Sequence, residues 1–552
     1  MMSWKYFILN SNKKYVIYLA LITLVSLAFK LYTVDFSLPV NSDNLSYTLH
    51  AISISHENFV QNSQRGSGWP IFSSIFISFI NSDNLIDYSV VMRVLSLSIS
   101  TLTIIPVYLL GKKFFNEKYS IVMASLFAFE PHLNFNSGFG LSEPLFNLII
   151  ICAFYFILKN NTRYIFLSFL LAGLSWWVRL NGFMILIAFT IIFFINFRKS
   201  TNYLRNYGIC VVIFLLIVSP MLIQRYEQFD NPFYVWFTEK IFAGSYVASL
   251  SENVETTNIG PLNYIEENGI SSFLQKFVIT GIYNILITIA KLTFPYLLVL
   301  IPLGMFLSFR KYDQNKRFIR ANWVVILVTT IVFIIPFSVV AEKRYIYHLF
   351  PFLIIFATIT IQKVTDYGIG GFSFSHKQKN LFLIIVIGLV IIISGLSVIK
   401  YGKPDLVLED EKIEFATYVL ENLNGKMLND PSPTFEYFNY VKANQPEIIK
   451  NIKIVNKQDS DTFVNSLNSN VTTIYINGTS LSEIISNGEQ YDLKYIASAE
   501  SGNVFYPFLD DVYKNEKNFL YLIKVFDSND SGFTKLKVKV FQIDYQKFHS
   551  LN

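Results

Sequence analysis

Residues 15–32, YVIYLALITLVSLAFKLY, hold one charge in eighteen positions, and stretches of this kind recur as far as residue 401. A helix that crosses a bilayer needs about 20 mostly apolar residues, or about 17 at the short end, since its backbone polar groups can be satisfied only within the helix. About eleven such stretches can be drawn, near 15–32, 88–110, 119–134, 142–158, 163–179, 181–197, 207–225, 281–309, 321–340, 345–362 and 380–401. GWPIFSSIFISFI (68–80) is too short to span and reads as a juxtamembrane or re-entrant helix. Composition agrees: only 15% of the 552 residues are charged, against about 25% in soluble chains. The net charge of +6 is modest and sits in short loops, so nucleic acid is not an expected partner. Cys152 and Cys210 both lie in apolar runs, which offers no disulfide framework and no thiolate metal site.

Lysine and arginine concentrate on the cytoplasmic side of a membrane protein. Lys5, Lys13 and Lys14; Lys112, Lys113 and Lys118; Lys159 and Arg163; Arg198, Lys199 and Arg205; Arg310 to Arg320; and Lys363, Lys377 and Lys379 all fall on one side. The expected protein is therefore multi-pass in the plasma membrane, with a cytoplasmic N-terminus and the first apolar run as an uncleaved anchor. The fold class expected is mainly α. A polytopic helical membrane domain (1–402) precedes a small extracytoplasmic α/β domain (403–552). In the latter, EDEKIEFATYVLENL (409–423) has helical spacing, while TTIYI (472–476), NFLYLIKVF (518–526) and TKLKVKVFQI (534–543) are strand-like. Asn-x-Ser/Thr sequons at Asn470, Asn477 and Asn529 suit an external location.

Ionisable residues near apolar helices are costly, by about 2.5–3.5 kcal/mol or more at a helix centre. Here they gather at the outer ends of the spans. Asp43 follows span 1, Glu130 and His132 end span 3, and Glu143 opens span 4. Arg179 lies between spans 5 and 6, and Glu342, Lys343 and Arg344 precede span 10. Each has a plain structural use as well. Asp43 can be a solvated loop acid, Glu143 a helix-start acid beside Pro144, and Glu130 and His132 structural partners. Arg179 can snorkel beside the interfacial Trp176 and Trp177, and Lys343 and Arg344 can pair with Glu342. The functional reading rests on their joint placement. Carboxylates with cations at one leaflet suit transfer of a sugar from a polyprenyl phosphate: an acid must take the acceptor proton, and cations must hold the phosphate.

SLPVNSDNLSYTLHA (37–51), GWPIF, EPHLNFNSGFGLSEPLF (130–146) and EKRYIYHLFPFLIIFA (342–357) together resemble C-type glycosyltransferases. The nearest branch is the protein O-mannosyltransferase and aminoarabinose-transferase group in its prokaryotic form. The resemblance covers the membrane part, about 400 residues. It implies a polyprenyl- or dolichyl-phosphate sugar as donor, a hydroxyl of a protein, lipid or glycan as acceptor, mannosyl-type transfer at the outer face, and inversion. It also implies catalytic roles for Asp43 and Glu143, with Arg344 and Tyr345 near the phosphate. Arg179, Glu130 and His132 complete the expected substrate contacts. Where many members carry an acidic pair, this chain reads SDNL, so Asn44 leaves Asp43 as a single base. Oligosaccharyltransferases carry a WWDYG-type signature in their external domain; WWVRLNG (176–182) has no Asp and lies between membrane helices, which sets that branch aside.

No acidic pair or histidine cluster supplies enough ligands for a divalent metal, and no cofactor is expected; Asp43, Glu143 and His132 form the one set that could share such an ion. The competing function classes are a transporter or lipid flippase, and a non-catalytic binder of polyprenyl lipids. Against transport, the charges sit at one face rather than the midplane, and no inverted repeat is evident.

Overall fold

Helix boundaries follow local side-chain chemistry. Asn116 and Asn161 cap the helices Glu117–Ala128 and Thr162–Val178, accepting from the N–H groups of Tyr119 and Arg163 at 3.2 and 3.0 Å. Ser375 and Gln378 form a reciprocal capping box at the start of His376–Tyr401. Such caps satisfy the N–H groups that a helix leaves unpaired at its start. The computed structural model describes residues 13–39, 42–243, 245–254, 260–309, 316–368, 374–430, 435–454, 467 and 470–551. Of the basic flanks, Lys5, Arg310 and Lys311 lie outside the described residues.

Among the described residues, eight helical stretches are long and apolar enough to cross a membrane. They are Lys13–Tyr32, Leu85–Phe114, Leu180–Phe197, Tyr203–Phe229, Pro261–Thr293, Lys316–Val339, Lys343–Tyr367 and His376–Tyr401. The chain is a multi-pass membrane protein. The expected count of about eleven is not reached by length and composition, for identifiable reasons. The stretch 119–134 stops at Ala128, because Glu130 and Pro131 open a second, seven-residue helix. Glu143–Ile157 and Thr162–Val178 are helices of 15 and 17 residues. The stretch 281–309 divides at Phe294 and Pro295, leaving Leu297–Ser308 as a short apolar helix. In the other direction, Pro261–Thr293 begins well before the expected residue 281, so part of the 226–280 connection is helical. GWPIF starts a ten-residue helix, Gly68–Ile77, which buries Trp69, Pro70 and Ile77.

The C-terminal segment carries a five-stranded sheet of order β2-β1-β3-β5-β4. Its strands are β1 (Gly425–Leu428), β2 (Val471–Ile474), β3 (Leu493–Ala499), β4 (Leu522–Asp527) and β5 (Val538–Ile543). β2, β1 and β3 run parallel, while β5 pairs antiparallel with both β3 and β4. Alternation along each strand sends side chains to two separate cores. Met427, Tyr495, Ala497, Val538 and Val540 meet Phe415 and Val419 on one face. Leu428, Ile496 and Phe541 meet Ile484 and Ile485 on the other. The expected strands correspond to β2, β4 and β5; β1 and β3 were not anticipated.

The same segment is joined to the helical bundle. Tyr440, Ala443, Ile449 and Ile452 belong to the bundle's core, Leu85 N–H donates to Asn444 Oδ1 at 3.0 Å, and Lys453 Nζ donates to Ser82 O at 3.1 Å. These contacts bring the helix Pro446–Ile454 against Ser42–Ser55, the helix that carries Asp43.

Candidate functional site

Asp43 sits in the first turn of Ser42–Ser55, where the helix dipole favours a carboxylate. The approach to that helix is fixed by Arg93, a buried side chain donating to the carbonyls of Asp35 and Pro39 at 2.7 and 2.8 Å. Asn44, standing where an acidic pair would put its second acid, has a structural use. Its amide donates to Phe139 O and its Oδ1 accepts from Thr48 Oγ1 at 2.7 Å.

Two arginines from different parts of the chain hold Asp43. Arg65 Nη2 donates to Oδ1 at 2.7 Å and its Nη1 reaches Ser46 Oγ at 3.2 Å. Arg344 Nη1 donates to Oδ2, while its Nε is taken by Glu342. Burial disfavours the charged carboxylate, but the two guanidiniums outweigh it and hold the Asp43 carboxyl well below the usual range. Beside this group lies a second pair, Arg179 Nη1 to Glu143 Oε1 at 2.6 Å, with both side chains largely buried. Tyr345 lies between the pairs, its ring 5.4 Å from the Arg344 guanidinium and 5.8 Å from that of Arg179. Tyr47 connects them: its ring is 5.9 Å from the Arg65 guanidinium and its hydroxyl shares a 3.1 Å hydrogen bond with Ser142, beside Glu143.

Close backbone approach brings the Arg65 loop to the Arg179 turn. A Cβ at Gly66 would come within 2.5 Å of Trp177 O, and one at Gly68 within 2.7 Å of the Trp177 carbonyl carbon. Only glycine lets the RGSG loop lie flat on the residues just before Arg179.

Asp43, Arg344, Tyr345, Glu143 and Arg179 thus come together. Glu130 and His132 do not join them. Glu130 is the N-cap of Pro131–Ser137, its Oε2 accepting from Leu133 N–H at 2.6 Å. His132 Nε2 faces Lys291 O at 3.4 Å. Among the described residues, no group of three or more His, Cys, Asp or Glu is placed to hold a metal. The set Asp43, Glu143 and His132 does not fit one: both acids face guanidiniums and the histidine stands elsewhere.

No protein-family model matches the sequence, and no curated protein matches it significantly. Solved structures do resemble it. The apo oligosaccharyltransferase of Archaeoglobus fulgidus aligns with a TM-score of 0.55 at 13% identity, over 88% of this chain and 69% of the other. The same archaeal enzyme, AglB, in complex with an inhibitory peptide and a dolichol-phosphate gives 0.53, also at 13% identity, over 88% and 69% of the two chains. This chain shares the fold of that archaeal oligosaccharyltransferase. ArnT from Cupriavidus metallidurans bound to undecaprenyl phosphate aligns over 95% of this chain and 97% of that one, with a TM-score of 0.47 and 11% identity. At such identities the likeness to the oligosaccharyltransferases is one of fold, and this chain has no WWDYG-type sequence in its C-terminal segment.

Three residues at or beside these two pairs escaped the sequence reading. Arg65 pairs with Asp43 Oδ1 from within the same 33–87 connection, and that shared connection is a sequence signal for it. Tyr246 feels both Asp43 and Glu342; burial first, and then these two acids, raise its hydroxyl above the ordinary range. His348 is buried against Phe146 and Phe333, with no hydrogen-bond partner at Nε2. Nothing in the local sequence distinguishes the last two from packing residues.

Proposed function

We propose that the protein transfers a sugar from a polyprenyl-phosphate donor to a hydroxyl acceptor, with Asp43 as general base. The observation that carries this reading is the Asp43 carboxylate held between Arg65 and Arg344, with a second acid–arginine pair alongside. The acceptor O–H gives its proton to Asp43 while its oxygen forms a bond to the anomeric carbon. The bond from that carbon to the phosphate oxygen breaks, and polyprenyl phosphate leaves with the electron pair. One displacement inverts the configuration, so a single base suffices. Arg344 and Tyr345 meet the phosphate, where the guanidinium charge offsets the charge that develops on the leaving group. Glu143 and Arg179 set the adjoining wall. In keeping with this, the archaeal enzyme of the same fold has been captured with a dolichol-phosphate.

The positive-inside distribution supports an outward-facing site, a cytoplasmic N-terminus and an extracytoplasmic 403–552 domain. The sequence resemblance to O-mannosyltransferases makes mannose the first sugar to test. In membranes, Asp43→Asn is expected to abolish transfer of labelled sugar from lipid to acceptor while expression and donor binding persist. Unchanged transfer removes Asp43 from the mechanism; flux of lipid with no glycosylated product favours the transporter.

A further inference from the structure

We propose that Arg225 is a positioning residue that holds the Arg65 loop, and through it fixes the Asp43 carboxylate. The inference rests on the proposed role of Asp43. Arg225 lies near the end of the Tyr203–Phe229 span and is only 1% exposed, yet no carboxylate faces it within ion-pair distance among the described residues. A guanidinium buried at this depth is retained at a cost unless its donors are used. They are used on two backbone segments at once: Nη1 donates to Asn62 O at 2.9 Å and Nη2 to Tyr234 O. Its flat face lies 5.3 Å from the Phe229 ring.

From Asn62 the connection to Asp43 is short. Asn62 Oδ1 accepts from the N–H groups of Gln64 and Arg65, each at 2.8 Å, forming a turn that aims Arg65. Arg65 then pairs with Asp43 at 2.7 Å. The same helix end grips the loop twice more. Gln61 donates from Nε2 to Gln224 Oε1 at 2.8 Å, and Gln228 exchanges hydrogen bonds with the Gln61 backbone at 2.9 and 2.8 Å. Trp236 N–H adds a bond to Ser63 O at 3.2 Å, so the 230–243 connection rests on the same loop. Lysine has the charge but not the fork, and reaching both carbonyls with one ammonium forfeits the geometry.

The test reads the protonation state of Asp43 directly, apart from any transfer. Full-length protein in membranes is treated with a water-soluble carbodiimide and glycine ethyl ester at pH 3 and 4, and the fraction modified at Asp43 is quantified by peptide mass spectrometry. Only the protonated acid reacts. The groups facing Asp43 are Arg65 and Arg344, with Glu342 behind Arg344 and the hydroxyls of Tyr246 and Tyr345 nearby. Losing one opposing charge raises a carboxyl by about one unit or more. Arg225→Lys is therefore expected to raise the fraction labelled at fixed pH about tenfold, the effect of a one-unit rise, and Arg65→Gln by at least as much. Because Arg225 acts through Arg65, adding Arg225→Lys to Arg65→Gln is expected to change nothing further.

Unchanged labelling in Arg225→Lys, or equal and additive increases in the double variant, overturns the proposal. Gln228→Ala removes a parallel grip from the same helix and keeps the question answerable if Arg225→Lys fails to reach the membrane. A smaller increase in labelling, again absent in the Arg65→Gln background, supports the relay, and no increase opposes it. If Asp43→Asn proves to transfer normally, the function proposed for Asp43 falls while this labelling result stands on its own.

Discussion

Asp43 and Glu130 each follow an apolar helix, but the fold uses them differently. Glu130 is 2% exposed and satisfies the N–H of a residue three places on, so its partner is local. Asp43 keeps nearly a quarter of its side chain exposed and is shared by arginines 22 and 301 positions away. A cap stabilises its own helix and can be assembled anywhere. A carboxylate clamped by two remote guanidiniums, open on one side, is costly to build and organises charge at a place a ligand can reach. That contrast separates a structural acid from a candidate catalytic one more cleanly than position along the chain.

The largest effect expected is on Asp43. Removing a general base costs about 10²–10⁴-fold in rate, so Asp43→Asn should lose transfer at that scale while Glu130→Ala transfers nearly normally; equal losses in both would erase the distinction. Next comes the Glu143–Arg179 pair. Truncating one member of a buried pair leaves an uncompensated charge, at about 3–5 kcal/mol. Glu143→Ala should therefore show a much lower detergent melting temperature, partly restored by Arg179→Ala in the same chain. A native-like melt for the single variant would mean that solvent already screens the pair. Arg344→Ala is expected to weaken donor binding by about ten- to a hundredfold, since a hydrogen bond to a charged group contributes about 1.5–3 kcal/mol. Titration with a fluorescent polyprenyl phosphate checks this, and native affinity would move the phosphate away from Arg344.

A smaller effect belongs to Glu130. Loss of an N-cap costs about 0.5–2 kcal/mol; Glu130→Ala should lower the melting temperature modestly and leave donor titration unchanged. A shift in donor affinity would return Glu130 to the substrate contacts expected from the sequence.

The difference between the two acids also explains what the sequence made legible. Apolar run lengths are a local property, so the membrane helices were readable, although Glu130-Pro131 and Phe294-Pro295 cut two of them short. The β-branched and aromatic runs of β4 and β5 are visible for the same reason. β3 was missed because it is buried almost throughout, LKYIASA showing no period-two pattern to read. At the site, Asp43, Glu143, Arg179 and Arg344 announced themselves as charges beside apolar helices. Arg65 did not, because its importance comes from the glycines that press its loop onto Trp177 and Val178, a contact across more than a hundred positions. Arg225 ends the apolar stretch 207–225, and only the carbonyls it meets reveal its use.

The smallest effect expected concerns pH, and its sign is fixed by the clamp. Arg65 and Arg344 overcome burial and depress the Asp43 carboxyl. A carboxyl depressed in the folded state contributes stability above its unfolded value, about pH 4, and loses that contribution only as pH falls from there toward the folded value. Between pH 7 and 5 the Asp43 charge should therefore be constant, and neither the melting temperature nor the acid limb of transfer should report its titration. Below about pH 4 the native protein should begin to lose the contribution, whereas Arg65→Gln, with one guanidinium gone, should lose less because less was gained. A melting curve followed from pH 7 to 3 in both proteins distinguishes the cases. If the native protein weakened between pH 6 and 5 and Arg65→Gln did not, the Asp43 clamp would have to open at neutral pH, and the contrast with the buried cap at Glu130 would disappear.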